Sequence, residues 1–185
     1  MPPTAPLAPP TRIIVAGTSG SGKSTLARRI AEASGMPYVE IDALFHGHGW
    51  TPRPTFAADV DAFTRQPAWV TEWQYAAVQP MLAERADVMI WLDYPRSLVM
   101  TRVIRRTVGR RIRREELWNG NREAPLRAVF TDRDHIIRWA WRTHGDRAAL
   151  VAEAARRNPG LAVVRLRRPH ETERWLRATF AGHGT

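Results

Sequence analysis

Gly17-Thr18-Ser19-Gly20-Ser21-Gly22-Lys23-Ser24 is the stretch on which the reading of this chain turns. It fits G-x-x-x-x-G-K-[ST], a loop whose backbone N–H groups cradle phosphates. At this composition the pattern would arise by chance on the order of once in 2,000 such chains. Before it, Arg12-Ile13-Ile14-Val15-Ala16 is a short β-branched run, predicted as a buried strand. After it, Ser24 to Ser34 carries Leu26, Ile30 and Ala31 at helical spacing and stops at Gly35, a plausible helix-ending glycine. Strand, glycine loop and helix, in that order, aim successive N–H groups at phosphate oxygens from the positive end of a helix dipole. Gly17, Thr18, Ser19, Gly20, Ser21, Gly22, Lys23, Ser24 and Thr25 are therefore the candidate nucleotide-binding residues. Lys23 is placed to neutralise a transferring phosphoryl group, and Ser24 to offer its hydroxyl to Mg²⁺. The competing reading is a flexible serine–glycine linker.

The lysine count argues against the linker. The 185 residues hold 28 Lys and Arg against 18 Asp and Glu, a formal net charge of +10, yet Lys23 is the only lysine. Arginine substitutes for lysine on a solvated surface at little cost. It does not substitute where a compact ammonium on a flexible stem is required. The one lysine sits in the one loop that requires it.

The remaining composition sets outer bounds. There is no cysteine, so disulfides and thiolate metal sites are excluded, and 44% hydrophobic with 25% charged residues is ordinary globular usage. No apolar run approaches the ~18 residues of a membrane span. The first residues, MPPTAPLAPP, lack the apolar core of a signal peptide. We expect a cytoplasmic protein with a disordered proline-rich tail over residues 1–11 and one domain over residues 12–181.

Along that domain, apolar strands alternate with helices. Strands are predicted at Tyr38–Ile41, Trp69–Thr71, Val88–Leu92 and Leu161–Val164. Helices are predicted at Thr55–Gln66, Tyr75–Arg85, Pro95 to about Val108, Ala148–Arg157 and Glu171–Phe180. With the first strand this makes five, interleaved with helices, which implies an α/β fold with a parallel sheet covered on both faces. From Arg102 to Arg114 there are seven arginines and no acidic residue. A solvated helix face is the bland explanation of that block.

The loop, together with WVTEWQY, ADVMIWLDYP, REELWNGNRE and VVRLRRPHETERWL, resembles the small bacterial P-loop kinases related to adenylate kinase, among them those called topology modulation proteins. The resemblance runs from Arg12 to about Phe180. It implies a P-loop NTPase of nucleoside-kinase type, with a five-stranded parallel sheet and a mobile arginine-rich lid at about residues 109–123. It also implies ATP and Mg²⁺ and leaves the acceptor open: a small-molecule hydroxyl or a nucleoside monophosphate. The alternative, favoured by the charge, is an ATP-binding, nucleic-acid-associated protein without small-molecule kinase activity.

Individual residues then take expected roles. Asp42 follows a strand end, on the edge where open α/β sheets bind ligands; in such kinases an acid here orients or deprotonates the acceptor hydroxyl, and a turn cap is the competing role. Glu72 ends the next strand and matches the acid that related kinases use near Mg²⁺, partly through water. The family often has Asp-Gly-Asn-Tyr where this chain has Glu72-Trp73-Gln74-Tyr75, so Trp73 is expected to narrow the acceptor pocket. Asp93 belongs to a structural turn and ranks below both acids. His46 and His48 read as pocket wall rather than metal ligands, and Trp50 as a stacking or core aromatic. Arg102 and Arg106, spaced i, i+4, share a helix face; the resemblance places them on phosphates, with Arg110 and its neighbours in the lid. Arg168, after the last strand, falls where this fold cradles adenine.

Overall fold

The structure, a computed structural model, describes residues 10–113, 145 and 147–180. Its elements are β1 (Arg12–Gly17), α1 (Lys23–Ser34), β2 (Tyr38–Val39), α2 (Ile41–Phe45), α3 (Phe56–Thr64), β3 (Trp69–Glu72) and α4 (Gln79–Arg85). They continue as β4 (Val88–Leu92), α5 (Arg96–Arg113), α6 (Arg147–Arg157), β5 (Ala162–Leu166) and α7 (Pro169–Phe180). The sheet has five strands in the order β2-β3-β1-β4-β5, and every pairing is parallel. The chain reverses its direction of travel across the sheet around β1, and ligands of open α/β sheets bind outside the carboxyl ends of the strands at such a point. The phosphate loop leaves β1 there.

Alternate residues of each central strand feed two cores. Ile13 and Val15 of β1, with Val88, Ile90 and Leu92 of β4, pack with Leu26 and Ile30 of α1, Val99 and Val103 of α5 and Leu176 of α7. Ile14 and Ala16, with Met89 and Trp91, pack with Ile41, Val60, Leu82 and Val151 on the other face. Because both faces are covered, the strands read in sequence as unbroken apolar runs rather than alternating ones. Among the described residues, no helix is long and apolar enough to cross a membrane.

Several boundaries move from their expected places, each for a local reason. β2 is only two residues long, and Ile41 opens α2 instead of extending the strand, because its backbone N–H donates to Glu72 Oε2 at 3.2 Å. α4 starts at Gln79 rather than Tyr75: Tyr75 has φ +65°, outside the right-handed helical region. α5 runs beyond Val108 to Arg113, so residues 109–113, the first of the expected lid, are helical. Gly109 costs the helix only about 1 kcal/mol, and the arginines around it are good helix formers. The rest of the expected lid, and the side chain of Arg110, lie outside the described residues, as do residues 1–9 of the expected tail.

Candidate functional site

The loop between β1 and α1 is pressed onto α5. Gly20 has φ +82°, and a Cβ there would collide with Val103 Cγ2 and lie 3.1 Å from the Val99 carbonyl. A Cβ on Gly17 would run into Ser21 Oγ. These two glycines are therefore required by close approach as well as by backbone conformation. Docking on α5 brings one face of that helix over the loop. Arg102 Nη1 donates to the Ser21 carbonyl at 3.1 Å, and one turn later Arg106 Nη2 donates to Ser19 Oγ at 3.3 Å. The two arginines grouped by spacing alone thus meet the loop together.

Lys23 opens α1 half-buried, its Nζ donating to the Thr18 carbonyl at 3.3 Å. Burial pushes its pKa down to about 8; Arg147 and Arg106 push the same way, while Asp42 and Glu72 oppose them. The ammonium therefore experiences the charges of two guanidinium groups and two carboxylates. Ser24 is half-buried in the first turn of α1, and Thr25, next to it, is exposed.

Beside the loop lies a cavity of about 330 Å³ lined by Gly20, Ser21, Gly22, Thr25, Arg102 and Arg106, and closed by Pro169, Thr172 and Glu173 of α7. Its walls are braced by Tyr94 Oη against Thr172 Oγ1 at 2.6 Å, and by a two-pronged ion pair from Arg29 to Glu173 at 2.5 and 2.7 Å. Arg168 is exposed just before α7, where its carbonyl accepts from the Glu171 N–H; its neighbour Pro169 lines the cavity.

The second half of the site is built across the sheet end from α2 and the segment after β3. Asp42 lies in the first turn of α2. Its Oδ1 accepts from Gln74 Nε2 and from the Tyr75 hydroxyl, the latter at 2.5 Å. Tyr75 Oη also lies 3.1 Å from His46 Nε2, and the Tyr75 ring stacks on Phe45 with centroids 4.0 Å apart. Burial holds the His46 pKa below its ordinary value against the opposing pull of Asp42, and it raises that of Tyr75, with Asp42 adding to the rise.

Glu72 is 1% exposed, and both its oxygens are engaged: Oε1 by the Tyr38 hydroxyl at 2.6 Å, Oε2 by the Ile41 N–H. It ties β3 to β2 and to the start of α2, the turn that carries Asp42. Trp73 is a core residue, 3% exposed, with its indole N–H on the Gln79 carbonyl at 3.0 Å. Trp50, 40% exposed, meets the His46 ring edge-on. Asp93 accepts from Arg165 Nε at 2.8 Å, in keeping with a structural role. Gln74 and Tyr75 were not singled out from sequence, although the four-residue stretch that holds them was.

The residues present fit a nucleotide carrying a divalent cation. Cations and the glycine loop surround a cavity large enough for a nucleoside, and the helix N-terminus faces it. No group of three or more His, Asp or Glu side chains among the described residues is placed to hold a metal. Mg²⁺ is commonly held by one or two protein oxygens together with substrate phosphates and water.

No protein-family model matches the chain. Among curated proteins it is 28% identical over 172 residues to a shikimate kinase of Mycobacterium avium, covering 83% of this chain and 89% of that protein. It is 47% identical to a cytidylate kinase of Nitratidesulfovibrio vulgaris, but over 38 residues, 20% of this chain and 16% of that one. Among solved structures it resembles a shikimate kinase from Acinetobacter baumannii in complex with shikimate, with TM-score 0.58, 15% identity and 97% of each chain covered. A shikimate kinase from Bacteroides thetaiotaomicron gives TM-score 0.54 at 14% identity, over 91% of this chain and 96% of that one. The fold is that of the P-loop kinases. The relatives support a small P-loop kinase as a class; they stop short of the adenylate-kinase-like, topology modulation group that the sequence resembles.

Proposed function

We propose that the chain is an ATP-dependent small-molecule kinase that moves the γ-phosphate of Mg·ATP to a hydroxyl group. The observation that carries this reading is the loop itself, where Lys23 Nζ meets the Thr18 carbonyl, Arg102 the Ser21 carbonyl and Arg106 the Ser19 hydroxyl, with the charges of Asp42 and Glu72 also acting on Lys23. On this reading the loop cation serves the donor phosphates, and the two carboxylates that act on it belong to the acceptor side. Bound Mg·ATP supplies the phosphoryl group and its in-line leaving group. Lys23, Arg102 and Arg106 hold and neutralise phosphate oxygens. Ser24 contributes a hydroxyl to the cation, and Glu72, engaged at both oxygens, serves it through water or acts by holding α2. Asp42 receives the hydrogen bond of the acceptor hydroxyl and takes its proton as the O–P bond forms.

A hydroxyl acceptor is favoured over a nucleoside monophosphate. The full-length likeness is to shikimate kinases, whereas the likeness to a cytidylate kinase covers a fifth of the chain. The hub around Asp42, made of Gln74, Tyr75 and His46, also offers hydrogen bonds suited to a hydroxyl.

The test is ADP release measured with Mg·ATP against a panel of cyclic hydroxy acids, sugar acids, sugars and nucleoside monophosphates. Turnover stimulated by a hydroxylated compound, with the phosphate recovered on its oxygen, is expected. Stimulation by nucleoside monophosphates alone would overturn the hydroxyl assignment.

A further inference from the structure

Tyr75 occupies a backbone conformation that tyrosine seldom adopts. Its φ of +65° lies in the left-handed region, which is sterically costly for a side chain of this size and which glycine would occupy freely. Strain of this kind persists where the surroundings over-determine it, and it clusters at functional sites. Here the conformation serves the side chain. It lays the ring against Phe45 and edge-on to Phe56, and it puts the hydroxyl between Asp42 Oδ1 at 2.5 Å and His46 Nε2 at 3.1 Å.

The donors and acceptors can be assigned. A carboxylate only accepts, so the single phenolic proton goes to Asp42, and the phenolic oxygen accepts in turn from His46 Nε2–H. This fixes the histidine tautomer as the one protonated on Nε2. Burial and the Asp42 charge keep the phenol protonated, so its donation to Asp42 persists across the whole range of working pH. Gln74 donates to the same Oδ1. Among the described residues no donor engages Oδ2.

We propose that Tyr75 is a positioning residue: with Gln74 and with His46 behind it, it clamps one oxygen of Asp42 so that the other is presented to the acceptor hydroxyl. This rests on the reading of Asp42 as the acceptor-side base. The clamp turns a carboxylate on a five-residue helix, free to rotate about χ2, into one with a single orientation.

Tyr75→Phe tests this, because it keeps the ring, the stack and the strained backbone and removes only the hydroxyl. With the acceptor found by the panel, kcat is expected to fall about 10- to 100-fold with little change in the Kd for ATP, the scale of a catalytic group slightly misplaced. Independently of activity, a crystal structure of the full-length variant should show the Asp42 carboxylate turned about χ2, away from the orientation in which Oδ1 meets Gln74 and Tyr75. Unchanged kcat, or an Asp42 carboxylate that keeps its wild-type orientation, would overturn the clamp. If no compound is phosphorylated by the wild type, the kinase reading fails by itself, and the orientation of the carboxylate still decides whether Tyr75 holds Asp42. Should Tyr75→Phe not fold, Gln74→Met removes the other donor from the same oxygen and is judged by the same two measurements.

Discussion

The two halves of the site are built by different means. The donor half is largely backbone: a loop of glycines shaped by contact with α5, one lysine opening a helix, and two arginines one turn apart. The acceptor half is a side-chain network, in which Asp42 is held by groups 32 and 33 residues away in sequence. Backbone cradles bind what all substrates of such a fold share, the phosphates. Side-chain networks can be exchanged one residue at a time, and this chain carries Glu72-Trp73-Gln74-Tyr75 where the family it resembles often has Asp-Gly-Asn-Tyr. On the proposed function, the first half fixes the reaction class and the second sets what is phosphorylated.

If that division holds, damage to the donor half should be the most severe and indifferent to acceptor. Lys23→Ala should bring phosphoryl transfer below detection in a coupled ADP assay while the far-UV circular dichroism stays native. Arg102→Ala and Arg106→Ala come next, with kcat down by about 10²- to 10³-fold, as for loss of one donor to a transition-state oxygen. Their effect on ATP affinity should be smaller, because charge on those oxygens grows in the transition state. Small, equal, salt-dependent losses of binding to a polyanion, with ATP turnover intact, would instead mark the arginines as a nucleic-acid surface.

The smallest expected effect is on pH dependence. The proposed function has the loop bind phosphate with the charged form of Lys23, whose pKa of about 8 is lowered by burial and would be raised again by a bound triphosphate. Protonation in the free protein is nearly complete at pH 7 and falls roughly tenfold by pH 9. ATP affinity measured by calorimetry should therefore weaken about tenfold between those values, with proton uptake on binding at the higher pH. A flat affinity would place Lys23 away from the phosphates.

The same division explains what the sequence made legible. The strand–loop–helix unit was readable because its motif is contiguous in the chain, although Gly20 answers to Val99 and Val103 of the distant α5. Arg102 and Arg106 were readable as a pair because helical spacing puts them on one face, although nothing in sequence said that the face meets Ser19 and Ser21. Asp42 was found as an acid after a strand, but its partners were not. A hydrogen bond from Gln74 or Tyr75 to Asp42 depends on the parallel pairing of β2 with β3, which periodicity does not reveal. Trp73 misled for a related reason: a tryptophan in place of glycine suggested a narrower pocket, whereas its ring turns into the core behind the strand end. The end of α5 was placed too early because an arginine block around a glycine reads equally as lid or helix.

The central claim is that Asp42 works on the acceptor while the loop works on the donor. It is tested most directly by comparing Asp42→Asn with the wild type in two measurements on the same preparation: the Kd for Mg·ATP by calorimetry, and kcat with the best acceptor of the panel. The amide keeps the size of the side chain and removes the base. The account predicts an ATP Kd within about twofold of the wild type and a kcat lower by about 10²- to 10⁴-fold, the range for loss of a positioned general base. Wild-type turnover, or a loss confined to ATP binding, would contradict it.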